Sequence, residues 1–260
     1  MNRVLQTIYS ILVWILITLV TLSISTLMII ASFALHFFDP DRRITQNIAS
    51  MWGKTLVFLN PTWSLKIQGR GYIRDGKSYI MVANHSSLSD IICLYCMGKQ
   101  FKWVAKDSLF RIPFFGWAMS AARYVRLVRG KHKSIKDSFE KCFYWLQRDM
   151  PVLIFPEGTR SVSGKLSNFK NGAFKLAIQA KKPIVPIVLI GTREVIEKGS
   201  ARFASNIHCK IKVLKPIQTS TYREEQYQEL RNLVREKMLE VIDEEKRADN
   251  FAQQKGTGKH

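Results

Sequence analysis

From Val4 to Phe38 the chain carries no charged side chain. A run of this length leaves the backbone few options. As a helix rising about 1.5 Å per residue, it exceeds the roughly 20 residues needed to cross a hydrocarbon core. A cleaved signal peptide has a shorter apolar core and a small-residue cleavage site. Here the run ends instead in bulky His36-Phe37-Phe38, followed by Asp39-Pro40-Asp41-Arg42-Arg43. Asp-Pro-Asp stops one helix and signals the start of another. The next segment, Ile44 to Leu59, mixes Trp52, Leu56, Val57 and Phe58 with Lys54. It reads as an amphipathic helix lying on a membrane surface or against a folded domain. The first run is long enough either to span once, with tilt, or to bend back within a leaflet.

Charge begins where this region ends. Arg3 is the only charged residue up to position 38, and the remaining chain holds 39 basic against 20 acidic residues, for a net charge of +20. Such a field attracts nucleic acid, anionic lipid, or phosphorylated substrates. A soluble nucleic-acid binder has no need of an apolar anchor, so the charge is assigned to an anionic bilayer and phosphorylated ligands. Positive residues on the C-terminal side of the anchor place that side in the cytoplasm. The four cysteines show no paired framework, which suits a reducing compartment. Cys93 and Cys96 form a lone CxxC in a helical stretch without a second pair or a well-spaced His, so a zinc site is not expected.

After Pro61, short apolar runs alternate with amphipathic stretches. Strands are expected at Ser64–Ile67, Tyr79–Ala83, Lys102–Ala105, Tyr124–Leu127, Val152–Phe155, Ile184–Ile190 and His208–Leu214. Helices are expected at Leu88–Met97, Phe114–Ala121, Ser134–Gln147, Phe169–Lys181 and Glu224–Lys246. The alternation predicts an α/β fold with a mostly parallel central sheet flanked by helices, preceded by an N-terminal helical membrane anchor. The expected division is residues 1–60 for the anchoring helices, 61–247 for the α/β domain, and 248–260 for a flexible tail.

Two motifs sit where buried strands run out into solvent, the usual place for ligand chemistry in such folds. NHSSLSD (84–90) follows the apolar run YIMVA, and FPEGTR (155–160) follows PVLI. His85 supplies a base that can take a proton from a hydroxyl near neutral pH. Asp90 can orient it only if His85 lies in the turn ahead of a helix and Asp90 in its first turn, because five residues along one helix separate side chains by about 140°. The same Asp90 also fits a capping box with Ser87, and Asn84 and the serines fit plain turn formers. FPEGTR reads equally as a strand-end turn with a surface Arg, or as a phosphate grip made of a Gly turn, a hydroxyl and a guanidinium. Lys165, Lys170 and Lys175 follow it.

Taken together and in this order, the motifs resemble the H-x4-D and F-P-E-G-T-R regions of the glycerolipid acyltransferases, most of all the bacterial 1-acyl-sn-glycerol-3-phosphate acyltransferases. Residues 106–130 look like that family's second motif and IVPIVLIG (184–191) like its fourth. One departure stands out: Val128 occupies the place before Arg129 where many relatives have an acidic residue.

The resemblance implies acyl transfer from a thioester, acyl-CoA or acyl-carrier protein, to the sn-2 hydroxyl of lysophosphatidate, giving phosphatidic acid for phospholipid synthesis. It gives His85 the role of general base and Asp90 that of its orienting partner, with no acyl-enzyme on Ser86, Ser87 or Ser89. Glu157, Gly158, Thr159, Arg160 and Arg129 are given to the acceptor phosphate, and Val185 and Pro186 to the acyl chain or the framework. No metal or other cofactor is implied, and no nucleic-acid partner. The implied location is the cytoplasmic face of a bacterial inner membrane. Two other readings fit the same residues: a sister acyltransferase with another lipid acceptor, and a tethered basic protein that binds anionic polymers or lipid without catalysis.

Overall fold

The uncharged run folds as one continuous helix, α1 (Arg3–Ala34), without the bend that a re-entrant path would need. This is a computed structural model that describes residues 3–161, 164–195, 201–204 and 206–257, with side chains through residue 248. The helix is long and apolar enough to cross a membrane. At its end the carboxylate of Asp39 accepts the backbone N–H groups of Arg43, Ile44 and Thr45, which caps the next helix, α2 (Arg43–Phe58). The Asp-Pro-Asp signal thus works through its first residue, whose anion satisfies three otherwise unpaired donors at the positive end of a helix.

Helix α2 folds back beside α1 and against α3 (Ser89–Cys96) rather than lying free on a surface. The contact with α3 depends on Gly53, where a Cβ would come within 2.7 Å of both the Ile92 carbonyl oxygen and the Tyr95 Cβ. Any larger residue there would push the two helices apart.

Seven strands follow the expected places closely: β1 (Trp63–Gln68), β2 (Ile80–Ala83), β3 (Lys102–Lys106), β4 (Val125–Leu127), β5 (Val152–Ile154), β6 (Ile184–Ile190) and β7 (Ile207–Val213). They form one sheet in the order β1-β7-β6-β2-β5-β3-β4, parallel except between β6 and β7. The other helices are α4 (Phe115–Ala121), α5 (His132–Gln147), α6 (Gly172–Ala180), a short α7 (Thr192–Val195) and α8 (Tyr227–Thr257). Helix α8 continues through the stretch expected to be a flexible tail, because residues 247–255 hold no glycine or proline to stop it. Residues 258–260 lie outside the described residues.

Strand β2 is buried along its whole length because both faces of the sheet are covered. Met81 and Ala83 face one layer with α1 to α4, while Ile80 and Val82 face the other with α5, α6 and α8. Each fully buried side chain of this size contributes about 1.5–3 kcal/mol relative to exposure. Strand β7 alternates instead: Ile207, Cys209, Ile211 and Val213 point inward. Lys210 and Lys212 of the same strand pair with Glu245 of α8. The parallel strands β2, β5, β3 and β4 all end at one edge of the sheet, and both sequence motifs emerge there.

Candidate active site

Strand β2 delivers His85 to that edge, and a break before α3 lets Asp90 turn back to meet it. The His85 Nδ1 lies 2.7 Å from Asp90 Oδ2, and Asp90 is fully buried. The same oxygen accepts the backbone N–H groups of Ser86 at 2.8 Å and Ser87 at 2.9 Å. Capping and orienting are therefore the work of a single oxygen, and the two readings of Asp90 are not alternatives. The His85 side chain is 18% exposed, and its Nε2 has no hydrogen-bond partner among the described residues. That nitrogen is the one left open.

The FPEGTR loop grips His85 from the neighbouring strand. The His85 N–H donates to Glu157 Oε1 at 2.8 Å, and its carbonyl accepts from Ser161 N at 2.8 Å. The Phe155 ring stacks on the imidazole with centroids 4.2 Å apart and 21° between planes. Backbone and ring are thus held on three sides before any substrate arrives.

Glu157, which the resemblance gave to the acceptor phosphate, has both oxygens committed to backbone donors: Oε1 to His85 and Oε2 to Ser167 N at 2.9 Å. It is buried to 6% exposure. An anion already engaged on both oxygens ties two loops together and repels a phosphate. Gly158 has φ of +74°, a conformation that favours glycine, and Lys170 lies across the turn with its Cε 2.8 Å from where a Cβ would stand. Arg160 is half-buried and makes no hydrogen bond or ion pair among the described residues, while Thr159 is exposed.

Arg129, Gly158 and Lys170 border an apolar groove of about 300 Å³, whose floor includes Leu127, Ile154 and Phe155. The departure at Val128 leaves its backbone N–H bonded to Ser134 Oγ, and Arg129 remains at the groove edge. Val185 and Pro186 lie in the middle of β6, in register with Met81 and Val82, and do not border this groove. Pro186 stands one residue before the antiparallel ladder with β7 begins, where a missing N–H costs least.

Three residues to which the sequence assigns no part in the site complete the frame, Asn84 among them having been read as a turn former. Asn84 bonds both the carbonyl and the N–H of Leu189, extending the pairing of β2 and β6 with an amide side chain. Thr192 meets Ser86 through its hydroxyl and Ser89 through its carbonyl. Phe155 had only its place beside the Pro-Glu-Gly turn as a signal. Among the described residues no cluster of three or more His, Cys, Asp or Glu could hold a metal. Burial pushes the Cys96 thiol up to about 12, as expected of a packed rather than reactive cysteine.

Comparison with known proteins gives a consistent picture. A family model described as Acyltransferase matches residues 64–190. A chloroplastic 1-acyl-sn-glycerol-3-phosphate acyltransferase of Arabidopsis thaliana is 36% identical over 196 residues, covering 75% of this chain and 54% of that protein. A Homo sapiens 1-acyl-sn-glycerol-3-phosphate acyltransferase alpha is 31% identical over 193 residues, covering 73% of this chain and 68% of its own. The chain spans about half the length of the plant and algal relatives it matches. Among solved structures, the 1-acyl-sn-glycerophosphate acyltransferase of Thermotoga maritima shares the fold with a TM-score of 0.79 at 24% identity, covering 95% of this chain and 98% of that one.

Proposed function

The chain belongs to the acyltransferase family, and from that premise we propose that it transfers an acyl group from a thioester to the free hydroxyl of lysophosphatidate, forming phosphatidic acid. The single observation that carries the mechanism is the His85–Asp90 pair with a free Nε2, clamped by the FPEGTR loop. The acceptor O–H gives its proton to Nε2 as the oxygen attacks the thioester carbonyl. The C–S bond then breaks, and the departing thiolate takes the proton back from the imidazolium. Asp90 holds the ring in the tautomer with the proton on Nδ1 and stabilises the transient cation. Acyl-CoA and acyl-carrier protein both meet the chemical requirement for a donor, and no other cofactor enters a step.

Arg160, Lys170 and Arg129 are the cations of this edge suited to the acceptor phosphate, and Glu157 acts on it only through the loops it ties. The free fork of Arg160 matches a phosphate that can accept two parallel N–H bonds.

The lipid meets the enzyme at a surface. Helix α1 is held to the domain from its first turns, through Tyr9 to Asn60 and Thr62, to its last third, where Ser25 and Met28 are buried beside α4. A stripe of Leu5, Ile8, Leu12, Ile15, Leu19 and Leu22 faces outward along the same helix. A helix so fully attached supports a reading in which α1 lies along the bilayer with the domain beside it, at the cytoplasmic face. The test is His85→Ala in detergent with lysophosphatidate and each donor. Transfer should fall by about 10² or more while the protein stays folded and membrane-associated. Near-normal turnover would remove the mechanism.

A further inference from the structure

After β3 the chain passes through residues 107–111 and turns at Pro113 into α4, on the same edge of the sheet as His85 and Arg129. This turn displays apolar bulk to the outside. Ile112 is 45% exposed, Phe114 39% and Trp117 54%, and the Phe114 and Trp117 rings pack 5.1 Å apart. Phe114 holds φ of +59° with ψ of −60°, a backbone state that strains a bulky L-residue. The inner side of α4 tells what lies nearby: Phe115, Ala118 and Met119 pack with Ile24, Ser25 and Met28 of α1. The exposed aromatic turn is therefore joined through α4 to the helix whose outer stripe is proposed to meet lipid.

Charge identifies the partner. From Lys106 to Lys133 there are seven basic residues and one acidic one, Asp107. That carboxylate is shared by Arg111 at 2.7 Å and Arg126 at 3.6 Å, so the pair keeps a net positive charge. Arg111 and Arg126 are well exposed, and Arg126 lies over the Phe110 ring at 4.7 Å. Trp and Phe beside Arg is the composition that settles at the headgroup level of an anionic bilayer.

We propose that Ile112, Phe114 and Trp117 form a second lipid-inserting wedge, separate from α1, and that Arg111 and Arg126 hold anionic headgroups around it. The wedge would seat the catalytic edge on the surface from which the acceptor comes, with α1 and α4 as two points of contact. The proposal rests on the membrane reading of α1, and the following experiment tells the two apart. In the full-length chain with Cys96→Ala, whose remaining cysteines are buried, an environment-sensitive fluorophore is attached at Ile112→Cys, at Phe33→Cys on α1, or at Tyr144→Cys on α5. Each is mixed with phosphatidylglycerol–phosphatidylcholine vesicles.

Labels at 112 and 33 should be quenched by chain-labelled lipid and protected from aqueous iodide, while the label at 144 shows the reverse. Quenching at 112 should weaken in purely zwitterionic vesicles. Quenching at 33 with 112 behaving like 144 overturns the wedge and leaves the α1 reading standing. If neither 33 nor 112 is quenched, both fall. Protection of 112 from iodide before vesicles are added makes the patch a protein contact, and equal quenching in zwitterionic vesicles removes the role of the arginines.

Discussion

Asp90→Asn separates the two tasks that one oxygen performs. With the amide oxygen in the place of Oδ2, the contacts to His85 Nδ1, Ser86 N and Ser87 N all survive. The new NH2 falls at Oδ1, which has no partner among the described residues. Geometry is therefore kept and only the charge is lost. Three hydrogen bonds change from charge-assisted to neutral, roughly 1 kcal/mol each, offset by a carboxylate that no longer has to be desolvated. Stability should move little. Catalysis should move much more. With charge centres about 4 Å apart and an effective dielectric near 20, the carboxylate stabilises an imidazolium by about 4 kcal/mol. At 1.36 kcal/mol per decade this is about 10³ in rate, and the partly solvated ring and the remaining amide dipole reduce it toward 10². The assay is kcat/KM on lysolipid in mixed micelles, beside thermal unfolding of the same preparation. A variant within about tenfold of the parent would show that the charge supplies under about 1.4 kcal/mol, and the argument would be wrong. Asp90→Ala is the contrasting control: two buried N–H groups lose their acceptor at about 1–3 kcal/mol each, so both stability and activity should fall.

Arg160→Lys keeps the charge but loses the two-pronged fork, so KM for the acceptor should rise while KM for the donor stays near the parent value; equal loss for both would make Arg160 structural. Glu157→Gln sets an NH2 against one of the two backbone N–H groups now bound. It should lower the melting temperature and kcat, and a pure rise in acceptor KM would restore Glu157 to the phosphate site. Burial pushes the Lys102 ammonium down to about 7, against the attraction of Asp39 and Asp41. Between that value and its ordinary 10.5 the unfolded chain binds a proton that the folded chain does not. Folded stability therefore rises with pH across this window and is level below it. Lys102→Met removes the term, so the parent should gain on the variant from pH 7 to pH 10 in thermal unfolding, and a constant gap would refute the assignment.

The sheet was legible because its strands are buried on both faces and read as apolar runs such as YIMVA and IVPIVLI, which periodicity finds without knowledge of their neighbours. Strand order was not legible, since nothing local to β7 shows that it runs against β6 while pairing in parallel with β1. The end of α8 lies beyond the expected Lys246 for a different reason. Polarity alone suggests fraying, whereas Ala, Gln and Lys are good helix formers and no breaker intervenes before Gly256. The path of α1 rests on an apolar face that includes Val13 and Met28, and also on single polar contacts, Tyr9 with Asn60 and Thr62 and Trp52 with Thr21, which join residues far apart in the chain and leave no periodic trace.

The site shows the same division between local and distant information. His85 and Asp90 are five residues apart, so their meeting could be derived as a condition on one turn. The clamp on His85 comes from residues about 70 positions away, and the residue type of Glu157 does not reveal it: beside an Arg and a Thr, a carboxylate looks like part of a ligand site. Its two occupied oxygens give it another reason to be there. A base that receives a proton in the transition state must not move as its charge changes, and a ring held only by Asp90 could swing about its own backbone. Glu157 and Ser161 fix the N–H and the C=O of His85, and Phe155 closes one face of the ring. On the proposed mechanism, motif one supplies the chemistry, and the start of motif two holds it rigid. The later residues of that loop, Gly158 to Arg160, with Lys170 across the turn, are the ones proposed to meet an anion. The proposed roles fit the spacing inside FPEGTR: an acid faces inward to tie the loops, and three residues on stands the guanidinium proposed for the acceptor phosphate.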